Sequence, residues 1–261
     1  MASKEIILKQ LQSTSNEIAL KFDKNYSGDL DVIVEELAVS YNILIEIIYK
    51  DRKCVPDNDF QSALLYWTAL NSILASLELL RRGYTKEPQM IMRNVIETSA
   101  VAYNFHTDPD LYGKFISNLD KKFDSTKSVT KAKKVHDIIG QQYGMLSKFF
   151  THVGPLHVLP HKVTNGLCIG GMFDFDNRAI MNINLMAITG TLDILNSLLE
   201  LTFIQHITNC RFWKRIGNTA EYTPNTERMK QVMESMKQPV DSLNKERNTE
   251  RSKRSKSGDL N

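Results

Sequence analysis

Arg93 and Glu97 stand four residues apart in the run Met92 to Phe105, so on a helix they share one face and can pair. On an open surface such a pair contributes roughly a few tenths of a kcal/mol. Drawn in among apolar neighbours, the same two charges are costly to desolvate and suit a ligand or a catalytic partner better than a purely structural role. A second group follows in Tyr143, Ser147 and Thr151, which repeat at i, i+4 and i+8 and line one face of a later helix. His152 comes next, where that helix should fray, and a histidine so placed can point into a cleft and exchange a proton near neutral pH. The structural alternative for each is a satisfied interhelical polar network.

Other chemistry finds less support. His157 and His161 follow His152 closely, but no carboxylate joins them at ligand spacing, so no metal site is expected. Asp174, Asp176 and Asn177 are expected to make a turn rather than hold a cation. No phosphate-binding glycine loop, dinucleotide fingerprint, nucleophile elbow or zinc-protease motif occurs, and no cofactor is expected.

The elements that must position these residues are helical. The chain has 261 residues, 42% apolar and 24% charged, enough to bury a core without metals or disulfides. Amphipathic stripes predict a first helix to about Asn25 (Ile6, Ile7, Leu11, Ile18, Leu20) and a second capped by Ser27 or Asp29 (Ile33, Leu37, Tyr41, Leu44, Ile45, Ile48). A third opens at Asp57, carries Leu64, Leu65, Trp67, Leu70, Leu74, Leu77 and Leu80, and stops at Arg81, Arg82 and Gly83. A fourth, from Thr85 with Pro88 in its first turn, holds Met92, Ile96 and Ala100. A short helix is expected near Leu111 to Leu119, a polar linker from Asp120 to Ser128, and a helix through Val135, Ile139, Leu146 and Phe149.

The Gly- and Pro-rich stretch from His152 to Asn177 is expected to be a long structured loop or small hairpin. Helical spacing resumes at Asn182 and runs to about Phe212; no strand run is strong enough to build a sheet, and a last helix is expected near Thr226 to Met236. The class is therefore all-α, a bundle of six to eight helices. Residues 1–217 form one helical domain, and 218–261 a polar extension expected to be disordered after about 237.

The runs LLRRGYTKEPQMIMRNVIETSAVAYNF and YGMLSKFFTHVGP resemble a mostly bacterial family of helical proteins, in which an Arg-x-x-x-Glu helix precedes a Tyr/Ser-rich helix ending in histidine. The resemblance covers about Leu64 to Leu201 and carries Arg93, Glu97, Tyr143, Ser147 and His152 onto that pattern. The pattern looks like a distant relative of the HEPN-type helical domains of toxins and defence proteins, many of which cleave RNA. Those nucleases pair an arginine with a histidine a few residues along one helix, whereas here the next histidine after Arg93 is His106.

What the resemblance implies is metal-independent RNA cleavage in a bacterial defence or toxin setting. Such cleavage needs a base for the 2′-hydroxyl, an acid for the leaving oxygen and a cation on the phosphate. His152, Glu97 and Arg93 fill these catalytic roles, and Tyr143 or Ser147 orients the histidine or binds substrate. The competing expectations are a non-catalytic binding or interaction module and a small-molecule sensor.

Charge and cysteine content bound the partners. The net charge of +3 is small, but Lys245 to Lys256 carries six basic and two acidic residues and no apolar one, a segment able to hold an RNA backbone by salt-sensitive contacts. A protein partner or a second copy is the other expectation. Cys54, Cys168 and Cys210 form no CxxC pair, which suits a reducing compartment. Lys4, Glu5 and Lys9 interrupt the apolar run a signal peptide needs. The polar residues between Phe60 and Leu77 favour a buried helix over a membrane span. The protein is expected to be cytoplasmic, without membrane association.

Overall fold

A computed structural model of the chain describes residues 4–49, 55–117, 124–148, 178–217 and 219–223, all inside the compact unit Met1–Pro224. His152, Thr151, His157, His161, Asp174, Asp176, Asn177, Cys54, Cys168, the Gly- and Pro-rich stretch, the helix expected near Thr226 and the basic tail lie outside the described residues.

The fold is an all-α bundle with a two-stranded hairpin. Helix α1 (Lys4–Lys9) passes through a π-helical segment (Gln10–Thr14) into α2 (Ser15–Asn25), followed by α3 (Ser27–Tyr49) and α4 (Asp57–Arg81). Then come α5 (Glu87–Thr107), α6 (Pro109–Ser117), α7 (Ser125–Ala132), α8 (Asp137–Leu146) and α9 (Arg178–Thr202). Strands β1 (Trp213–Ile216) and β2 (Thr219–Tyr222) pair antiparallel.

The core lies where α4, α5 and α9 meet, around Tyr66, Leu70, Ile73, Met92, Ile96, Ile188 and Leu195, all essentially without solvent exposure. Two hydroxyls that interrupt the apolar stripe of α4 are spent on α5: Ser62 donates to the Ala102 carbonyl at 2.8 Å and Ser76 to that of Pro88 at 2.9 Å. The stop after α4 follows its sequence. Gly83 takes φ 88°, its N–H reaches the Leu80 carbonyl at 2.9 Å, and Tyr84 N–H reaches Leu79 at 3.0 Å, the paired bonds of a glycine C-cap. Helices Asp57–Arg81 and Ile180–Thr202 are long and apolar enough to cross a membrane by length and composition, and most of the second is buried inside the molecule. Those are also the properties of a core helix.

Some expectations change. Ile6, Ile7, Leu11 and Leu20 are exposed, because α1 buries no residue and α2 instead turns Ile18, Ala19 and Phe22 inward. Leu64 and Leu74 are also exposed, since the buried stripe of α4 is centred on Tyr66, Leu70, Ile73 and Leu77. From Ser125 onward the expected linker is helix α7, which buries Val129 and Ala132, too few apolar residues to show a period.

The last long helix ends at Thr202, not near Phe212. There the buried Glu200 carboxylate accepts the backbone N–H groups of Arg211 (2.9 Å) and Phe212 (2.8 Å) and turns the chain back. The hairpin follows, reversing at Gly217 with φ 59°, where glycine avoids the steric cost of positive φ. It extends the packed chain past residue 217 to Tyr222. Trp213 anchors it, donating from Nε1 to the Ser197 carbonyl at 2.7 Å.

Arg211 also bonds Glu200 Oε1 (3.2 Å) and Glu36 Oε2 (2.5 Å), fastening the turn to α3 and α9. Burial raises the Glu200 pKa despite these partners. Arg211→Met is expected to destabilise by about 2 kcal/mol at neutral pH, by leaving a buried carboxylate short of its cation. Because the folded carboxyl already binds its proton more tightly than the unfolded one, the deficit grows as pH rises through the folded pKa and is lost as pH falls through it, before the ordinary carboxylate value is reached. Denaturant unfolding at several pH values measures it.

Candidate functional site

The side chains at Arg93 and Glu97 leave α5 on the face that meets α7 and α8. Arg93 follows Gln89 by one turn and Glu97 follows Arg93, so three polar residues run up one face beside the buried Met92 and Ile96. Tyr143 reaches across from α8. Its hydroxyl accepts from Arg93 Nη2 at 3.0 Å and donates to Glu97 Oε1 at 2.8 Å, while Arg93 Nη2 lies 3.2 Å from the same carboxylate oxygen. The guanidinium carbon sits 5.3 Å from the Tyr143 ring centroid, close enough for a cation–π contribution. Ser125, the first residue of α7, donates to Glu97 Oε2 at 2.8 Å.

The cluster lies at the edge of the core: the Arg93 and Glu97 side chains keep 29% and 16% of their exposure, between the surface pair and the buried pair. The hydrogen bond to Tyr143, assisted by the Glu97 charge, outweighs partial burial and raises the Arg93 pKa, so the guanidinium is a fixed cation.

Arg93, Glu97 and Tyr143 therefore meet in one cluster. Ser147 is not bonded to them. It stands one turn beyond Tyr143, its Oγ buried and without a hydrogen-bond partner among the described residues. His152 lies outside the described residues, so the composite of Arg93, Glu97 and His152 has no geometry here.

The sequence reading missed Ser125, which it placed in a linker, and a buried amide layer beneath the cluster. Gln89 Nε2 donates to Asn184 Oδ1 at 2.8 Å, and Gln142 Nε2 donates to the Ala187 carbonyl (3.1 Å) and Thr191 Oγ1 (2.8 Å). Gln89, Gln142 and Thr191 are fully buried and Asn184 nearly so. The i, i+4 spacing of Gln89 and Arg93 was the available signal.

His136 was missed as well. It precedes α8, is buried, and its Nε2 shares a hydrogen bond with the Tyr222 hydroxyl of β2. Tyr222 in turn stacks near Trp213, with ring centroids 4.9 Å apart, and feels the Asp193 charge of α9. This contact fixes the start of the helix that carries Tyr143. Among the described residues, no group of three or more His, Cys, Asp or Glu side chains could hold a metal ion.

Burial pushes His136 down to about 4 from 6.5, against a smaller opposing effect of Asp137. The unfolded chain thus takes up a proton below pH 6.5 that the folded protein refuses until about pH 4, and stability must fall across that window as pH drops. The expected loss is roughly 2 kcal/mol after a discount for solvent screening. Thermal melts between pH 7.5 and 4 should show this fall in the wild type and a shallower one in His136→Gln; equal slopes would contradict the assignment. Comparison with protein-family models, with curated proteins and with solved structures finds no match to this chain.

Proposed function

We propose that the chain is a helical ligand-binding protein whose site is the polar cluster between α5 and α8, with Arg93 as the group that receives the ligand. One observation carries this reading. Arg93 Nη2 is committed to Tyr143 and Glu97, yet its Nε is buried and has no partner among the described residues. An ionised donor kept from water without an acceptor is destabilising, and a ligand acceptor placed there would relieve it. Glu97 supports the same reading. One of its oxygens accepts from Tyr143 and faces Arg93, and the other accepts from Ser125, so the carboxylate acts as a fixed counter-ion.

Metal-independent RNA cleavage in a defence or toxin setting is the second reading. It is favoured by the meeting of a cation, a carboxylate and a phenol within 3.2 Å. Arg93 would stabilise charge on the phosphate, Glu97 and His152 would exchange protons, and Tyr143 or Ser147 would hold substrate, with the basic tail on the RNA backbone.

The experiment pairs a thermal-shift screen of small polar molecules, phosphate and nucleotides included, with an RNA panel incubated with and without divalent metal. Ligand binding predicts a saturable shift that Arg93→Gln reduces by at least about tenfold in affinity while RNA stays intact. Cleavage predicts fragments without metal and a fall of about 100-fold in Glu97→Gln, measured well below the midpoint at which that variant unfolds. A wild-type protein that neither binds nor cleaves overturns both.

A further inference from the structure

All four buried side-chain atoms without hydrogen-bond partners among the described residues, Gln89 Oε1, Arg93 Nε, Gln142 Oε1 and Ser147 Oγ, belong to the seam of α5, α8 and α9. Hydrogen bonds tie the two helices that carry them to α9. Gln89 and Arg93 are one turn apart on α5, and Gln89 bonds Asn184 of α9. Helix α8 runs opposite to α9. His136, before α8, shares a bond with Tyr222 beside Asp193, and Gln142 bonds Ala187 and Thr191 farther back along α9. Ser147 follows just past the end of α8, one turn beyond Tyr143, in the direction that leads back along α9.

The network itself settles which way the two buried amides face. The Ala187 carbonyl can only accept, so Gln142 must present its NH2 to it and keep Oε1 unused. Asn184 donates from Nδ2 to the Ile180 carbonyl at 2.9 Å, so it offers Oδ1 to Gln89, which likewise donates and keeps Oε1 unused. The seam therefore offers two carbonyl acceptors, one guanidinium N–H and one hydroxyl able to do either.

That pattern selects a ligand. An anion would meet Arg93 but also face two carbonyl oxygens; a cation would meet the oxygens but also Arg93; an apolar guest would leave all four groups unsatisfied. We propose that the seam binds a neutral molecule through an amide-type edge, N–H groups beside a C=O, with Gln89 and Gln142 accepting from the N–H groups and Arg93 Nε donating to the C=O. The inference rests on the ligand-binding reading of Arg93 and adds the chemical class. Uracil, guanine and primary carboxamides carry such an edge.

The full-length protein is titrated calorimetrically with uracil, guanosine, nicotinamide and inorganic phosphate. Saturable binding of a neutral member is expected, with the two base-bearing molecules against nicotinamide deciding between base and carboxamide. Arg93→Lys keeps the charge beside Glu97 but lacks the Nε donor, and Ser147→Ala removes a hydroxyl that has no hydrogen-bond partner among the described residues. Arg93→Lys should weaken that binding by about tenfold, and Ser147→Ala should leave the unliganded thermal midpoint unchanged or raised. Binding of phosphate alone, retained in Arg93→Lys, overturns the amide-edge assignment and leaves the ligand-binding reading standing. Absence of binding by every molecule in this titration and in the wider screen, with the seam holding water only, overturns both.

Discussion

The Tyr143 hydroxyl joins α8 to α5 by accepting from Arg93 and donating to Glu97, and the rest of the polar cluster depends on that bond. A phenol is suited to the position because one oxygen both gives and takes a hydrogen bond while its ring lies against the guanidinium. With the phenol in place, the opposite charges on α5 need not be fully desolvated and are held in one arrangement. Without it, Arg93 and Glu97 would be an exposed i, i+4 pair of little energetic consequence.

Holding α8 at the right height is the work of the elements around it. Helix α9 lies along α5 and supplies acceptors to Gln142, while β2 reaches His136 just ahead of the first turn of α8. The hairpin is itself fixed by Trp213 on Ser197 and by Arg211 between Glu36 and Glu200. Charge buried at one end of α9 thus positions the hairpin, the hairpin positions the start of α8, and α8 delivers Tyr143 to Arg93. Each step is a polar contact made inside an apolar bundle, where an unmatched group is costly and alternatives to the paired geometry are few.

The long helices were legible because burial imposes a 3.6-residue period over many turns: Met92, Ile96 and Ala100, or Leu185, Ile188, Leu192 and Leu195, show it plainly. Arg93 with Glu97, and Tyr143 with Ser147, were legible for the same reason, since spacing alone places each pair on one face. The hairpin was not, because its four-residue strands bury Trp213, half-bury Ala220 and Tyr222 and leave the rest exposed, with Gly217 as the main cue. Nor were Gln89 and Gln142. A glutamine is at home on any helix surface, and only the approach of α9 turns these two into buried donors with an oxygen left over. Ser125 escaped because α7 has too short an apolar stripe to register.

Arg93 and Tyr143 couple α5 to α8, and a double-mutant cycle measures that coupling without any assumption about ligand. Arg93→Met, Tyr143→Phe and the double variant would be compared with the wild type by denaturant unfolding. The structure predicts an interaction energy of about 1 to 2 kcal/mol, reduced but not abolished at high salt. Additive effects, with an interaction energy within about 0.3 kcal/mol of zero, would contradict it.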